Sequence, residues 1–232
     1  MLPFGYFDLI ETFPLPGCAI CNLLQHDVQR LIDNVLWEHT NDPFILDKMR
    51  ASRGLCNEHG WQFIEAAHAL NVAVFYEPPL QEILKILDEA VPEPKPQNVV
   101  RRLFAKSGGS TLADALDPVQ PCLVCDLQNE NEARYLGIMA QHIADERLLK
   151  AFWESDGLCL PHFKMVLRRT PYADRFIRIQ KDIWTRLHAE LEEFTHKLAI
   201  QTPNDQIGSE ANSWRRTHAV FTGGKGVFGR RR

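Results

Sequence analysis

The chain has 232 residues, 45% of them hydrophobic and 24% charged, with a formal net charge of −4. That is the composition of a globular protein and excludes a disordered or collagen-like chain. No stretch approaches the ~18 uncharged apolar residues of a membrane-spanning helix. The N-terminal MLPFGYFDLIETFPLPG has no basic start and carries Asp8 and Glu11 within its apolar part. It is a poor signal peptide, and the expected location is cytoplasmic.

In chain order, a Leu-Pro-Gly turn leads to Cys18 and Cys21, a CxxC pair that opens an apolar pattern of helical period: Leu23, Leu24, Val28, Leu31, Ile32, Val35, Leu36. Gly54-Leu55-Cys56 and His59 form a CxxH pair, and a second helical face follows through Phe63, Ala66, Ala67 and Leu70. A third helix is predicted from about Pro79 to Ala90, and NVAVFY before it (71–76) continues a helix rather than forming a strand. The proline-rich VPEPKPQNVV reads as a stiff linker, and SGGSTLADALDP as a break followed by a short helix. The pattern then recurs. A second CxxC holds Cys122 and Cys125, a second CxxH holds Cys159 and His162, and a long amphipathic helix runs to Ala199.

These are two copies of one unit, offset by 103–104 positions. The second cysteine of each CxxC precedes the cysteine of CxxH by 35 positions in the first copy and 34 in the second. Ser52 and Gly54 match Ser155 and Gly157, and His39 and Asp42 match His142 and Asp145. All six cysteines are used. The predicted fold is all-α, two tandem three-helix pseudo-repeats, each stapled by its own Cys3His site. The expected divisions are 1–90 for the first repeat, 91–121 for a Pro/Gly-rich linker, 122–200 for the second repeat and 201–232 for a flexible basic tail.

Thiolates are favoured at helix starts, where unpaired N–H groups carry partial positive charge. Three thiolates and one imidazole per copy form the closed ligand set of a structural zinc ion. The candidate ligands are therefore Cys18, Cys21, Cys56 and His59, then Cys122, Cys125, Cys159 and His162, with two zinc ions per chain. An iron–sulfur cluster is the alternative cofactor, since a histidine can replace a cysteine there. Redox-active thiols fit less well, because no βαβ pattern surrounds either CxxC. His39, Asp42, His142 and Asp145 have two readings: they orient or join the ligands, or the aspartates cap the next helices. There is no GxSxG, no phosphate-binding glycine loop and no HExxH. Trp37, Trp61 and Trp153 read as core or rim aromatics.

The duplicated CxxC with Ser52-Arg53-Gly54-Leu55-Cys56-Asn57-Glu58-His59 and Gly157–His162 resembles an uncharacterised bacterial family of helical proteins. The likeness covers residues ~17–200 and extends to Trp214-Arg215-Arg216. It implies bacterial origin and metal binding, and no activity. Residues 211–232 carry six basic side chains and no acid, leaving −10 on the rest of the chain. The acidic remainder argues against a nucleic-acid clamp, while the tail could touch a polyanion weakly. Its deletion is expected to leave the fold intact. Together these features describe a non-enzymatic metal-binding helical protein that engages an unidentified macromolecule.

Overall fold

The computed structural model describes residues 2–90, 109–201, 203, 206 and 208–228; most of the expected linker, 91–108, lies outside them. Among the described residues the chain is all-α, with eleven α-helices and no strand. No helix among them is long and apolar enough to cross a membrane.

The first copy contributes α2 (Ala19–Glu38), α3 (Pro43–Ala51), α4 (Asn57–Ala66) and α5 (Ala69–Ala90). The second contributes α7 (Leu123–His142), α8 (Glu146–Glu154), α9 (Leu160–Leu167) and α10 (Ala173–Ala199) in the same order. NVAVFY lies inside α5, as its periodicity implied. Outside the copies stand α1 (Tyr6–Thr12), α6 (Gly109–Leu116) and α11 (Ser213–Thr222), the last preceded by a 3-10 turn at Ser209–Asn212. The expected three-helix repeats thus gain a fourth, nine-residue helix each, α3 and α8. Asp42 opens α3 by accepting from the Phe44 N–H at 2.8 Å, with Pro43 at the first helical position. Asp145 opens α8 by accepting from Arg147 and Leu148 N–H at 3.0 and 3.4 Å.

The chain divides into two compact units that do not follow the tandem repeats. Among the described residues, unit 1 takes those of 2–28 and 128–228, and unit 2 those of 29–127. Unit 1 is built on Tyr6, Leu9 and Phe13 of the N-terminal segment, Ile20 and Leu24 of α2, Leu136 and Met139 of α7, Phe152 of α8 and Phe176 of α10. All of these are fully buried, and Phe13, Phe152 and Phe176 form a ring stack with centroids 5.7 and 5.8 Å apart. Unit 2 buries Ile32, Met49, Phe63 and Phe75, the last two edge-to-face at 5.3 Å.

The segment expected to be a flexible tail is folded over much of its length. Helix α11 packs on α9 and α10, and Val227 is buried in the core of unit 1. The polar composition that suggested mobility belongs to a one-sided helix whose Arg216 is held by two carboxylates. Arg216 bonds Glu190 at 2.5 Å and Asp156 at 2.8 Å. Arg230, Arg231 and Arg232 lie outside the described residues.

Candidate metal centres

All four motif-opening cysteines stand at helix starts. The carbonyls of Cys18, Cys56, Cys122 and Cys159 each accept a hydrogen bond from the N–H four residues on, in α2, α4, α7 and α9, at 2.8–3.0 Å. Their thiols therefore sit where the first-turn N–H groups have no helical partner. The recurring Ser-x-Gly delivers the CxxH cysteines to that position. Ser155 Oγ donates to the Phe152 carbonyl at 2.7 Å and accepts from the Gly157 N–H at 2.9 Å, ending α8. Gly157 then turns the chain at φ +77° into Cys159.

The eight cysteine and histidine candidates converge in two groups of four, with the donor atoms of each group within 4.8 Å of one another. The grouping crosses the copies. Cys18 and Cys21 meet Cys159 and His162 in unit 1, whereas Cys122 and Cys125 meet Cys56 and His59 in unit 2. The two Cys3His sets stand; the expected staple within each repeat does not. Both partitions have the same composition, and the contacts between helices select the crossed one.

In unit 1, His162 Nδ1 lies 3.4, 3.4 and 3.3 Å from the sulfurs of Cys18, Cys21 and Cys159. Cys21 and Cys159 sulfurs are 3.8 Å apart. In unit 2, His59 Nδ1 lies 3.3, 3.8 and 3.4 Å from Cys56, Cys122 and Cys125, and Cys125 and Cys56 sulfurs are 3.6 Å apart. Burial opposes ionisation at Cys18, but hydrogen bonds from Cys159, Cys21 and His162 hold it well below the usual thiol range. Contacts with Cys122 and Cys125 do the same for Cys56. Burial disfavours both imidazolium ions, yet the adjoining thiols push His162 up to about 11 and His59 up to about 9. Cys21, Cys125 and Cys159 are pushed up by the sulfurs beside them, so each group pairs one thiolate with one imidazolium, and a bound cation in place of those protons would let each group hold a metal ion.

His39, Asp42, His142 and Asp145 join neither group. Asp42 and Asp145 are helix caps; His39 is a partly exposed neighbour of Asp42 at 3.4 Å, and His142 packs edge-on to Tyr6. The groups that contact the candidate ligands in unit 1 were missed. Glu132 of α7 lies 3.2 Å from His162 Nε2, in a buried pair. Gly224 donates its N–H to Cys21 Sγ at 3.2 Å, and the Phe228 ring lies 4.8 Å from that of His162. Asp156 accepts from the Gly17 N–H at 2.7 Å and is held by Arg216, so one hydrogen bond to an anchored carboxylate joins the turns before Cys18 and Cys159. A carboxylate seven residues past a CxxC, present in one copy alone, was the available signal for Glu132. The glycine-rich C-terminus offered none. Trp37, Trp61 and Trp153 are exposed, which places them on the surface rather than in a core.

A sequence profile described as "Family of unknown function (DUF6062)" matches residues 14–226. The chain is also 21% identical over 216 residues to an "Uncharacterized 23.9 kDa protein in xynA 3'region" of Caldicellulosiruptor sp. (strain Rt8B.4), covering 92% of this chain and 91% of that one. No solved structure matches it.

Proposed function

The chain belongs to the DUF6062 family, whose function is unknown, and from the site itself we propose a protein stapled by two structural zinc ions, one per compact unit, that presents its surface to a macromolecular partner. The observation that carries this reading is the spacing of the donor atoms. Zinc bonds of about 2.3 Å to sulfur and about 2.0–2.1 Å to nitrogen, at tetrahedral angles, put ligand atoms about 3.5–3.8 Å apart. The donor pairs in hydrogen-bond contact are 3.3–3.8 Å apart in both groups, and all donor atoms of a group lie within 4.8 Å. Ligands of an iron–sulfur cluster bind different irons and must spread around a larger core. A closed set of four protein ligands also leaves no position for a substrate, which favours a structural over a catalytic ion.

The partner surface is argued from unit 2, where Trp37, Phe44 and Trp61 are each more than half exposed. A polyanion contact through residues 211–232 would rely on Arg215, Lys225 and Arg230–Arg232, since Arg216 is engaged by Asp156 and Glu190.

The test is metal content with an absorption spectrum, on full-length protein purified anaerobically without added metal. The expected result is two zinc ions per chain and no visible band. Iron with acid-labile sulfide and a visible band would replace this reading with a redox one.

A further inference from the structure

The two donor groups share a ligand set and differ in what surrounds it. In unit 1 every ligand is covered: Cys18 is 8% exposed, Cys21 1%, Cys159 2% and His162 0%. His162 is fixed from behind by Glu132, and the Gly223–Phe228 segment lies across the group, with Gly224 bonded to Cys21 and Phe228 against the histidine. There is no room for a side chain at position 224 of this strap, because a Cβ there would lie 2.9 Å from that of Cys21. Gln128 of α7 bonds the Val227 carbonyl at 3.3 Å and anchors the strap's far end.

Among the described residues, unit 2 lacks these features. Of the six cysteines, Cys56 is the one that is not buried. His59 Nε2 is buried and has no hydrogen-bond partner among the described residues. The asymmetry is written in the copies: Glu132 lies seven residues after Cys125, and the matching position after Cys21 holds Val28, which offers no acceptor. A ligating histidine without a partner on its second nitrogen is less well oriented and a weaker base. A thiolate reachable from solvent is open to attack where a covered one is inert.

We infer that the Cys56–His59–Cys122–Cys125 group is the exchangeable, electrophile-reactive centre of the molecule, with Cys56 the sulfur attacked, and that Glu132 and the C-terminal strap lock the other. This rests on the zinc reading above. In the reaction the Cys56 sulfur donates an electron pair to the β-carbon of a Michael acceptor. A C–S bond forms as the C=C π bond breaks, and the resulting enolate takes a proton from water. The thioether is a poor metal ligand, so Cys122, Cys125 and His59 alone would be left to hold a bound zinc ion, and they would hold it more weakly. Such a centre would respond to soft electrophiles while unit 1 keeps its metal. Glu132 acts through His162 and is a positioning residue.

The experiment begins with the metal assay, then challenges full-length, zinc-loaded protein with limiting N-ethylmaleimide. Zinc release is followed with a chromophoric chelator, and adducts are located by peptide mass spectrometry. The first zinc is expected to leave at least about 10-fold faster than the second, on the scale that a supporting hydrogen bond is worth in zinc affinity, with the first adduct on Cys56. Glu132→Ala, and separately a chain ending at Thr222, should quicken the second phase alone. Glu132→Gln, which keeps an oxygen acceptor, should restore most of the slow phase. Release of both ions in one phase, or a first adduct on Cys18, Cys21 or Cys159, would overturn the inference and leave the zinc reading intact. Absence of zinc at the outset would overturn both.

Discussion

Gly157 and its neighbours show how a single backbone angle positions a ligand. The residue adopts φ +77°, and a Cβ there would lie 2.4 Å from Gln180 Nε2. Gln180 cannot easily retreat, because its Oε1 accepts from the Leu158 N–H at 2.9 Å, one residue before Cys159. Gly157→Ala should therefore destabilise unit 1 by about 1–3 kcal/mol, the scale of a strained backbone residue. Thermal melting would measure the loss, and zinc counting should find the deficit in the Cys18–Cys21–Cys159–His162 group alone. An unchanged melting temperature and full zinc content would show that the turn tolerates a side chain. The same logic explains why Ser52 and Gly54 recur in the first copy, where Ser52 Oγ donates to the Lys48 carbonyl at 2.8 Å and Gly54 takes φ +87°.

At the level of elements, α11 changes what the C-terminal region is for. The sequence suggested a removable basic tail, yet Trp214-Arg215-Arg216 lies on a helix packed against α9 and α10. Arg216 is the tie: it is largely covered and reaches Glu190 on α10 and Asp156 in the turn before Cys159. Removing one partner of a partly buried, charge-assisted pair costs about 1.5–3 kcal/mol. Arg216→Ala should lower the unfolding free energy from urea titration by that amount, seen as a lower midpoint, and deletion of 211–232 should lower it further, contrary to the expectation that the fold would be untouched. A truncated chain with a wild-type midpoint would return the segment to the status of a tail. Unlike the equally short α4 and α9, helices α3 and α8, about two and a half turns each, have no CxxC or CxxH to announce their starts. Their Asp caps were visible, but the same aspartates also admitted a role beside the ligands.

For the whole molecule the decisive feature is the crossing of the two copies. Each compact unit takes the CxxC of one copy and the CxxH of the other. Paired substitutions separate this from a tandem arrangement. Cys18→Ser with Cys159→Ser damages one group and should leave one zinc per chain. Cys18→Ser with Cys56→Ser damages both and should leave none. A tandem arrangement would give the reverse pattern. Because metal-binding energy is folding energy in a small unit, the second pair should also lose far more helix than the first, which circular dichroism would read.

The sequence by itself determined the helical class, the eight cysteine and histidine candidates in two CxxC and two CxxH pairs, and the helix starts that bear them. Each depends on local rules: a 3.6-residue period, a CxxC or CxxH that places two donors on one turn, and a repeat that excludes coincidence. Even the dual meaning of Asp42 and Asp145 was local, and a hydrogen bond to the next turn decided it. What only the tertiary structure decided was which CxxC meets which CxxH, which residues stand behind the ligands, and that Gly223–Phe228 closes over one group. Spacings of 34 and 35 residues let a helical hairpin return to its own start or reach the other copy equally well. The choice falls to buried contacts such as Phe13 on Phe152, and His162 against Glu132 and Phe228, between residues up to 139 positions apart. Those contacts have no period and leave no motif, because the hydrophobic effect rewards buried area rather than position in the chain.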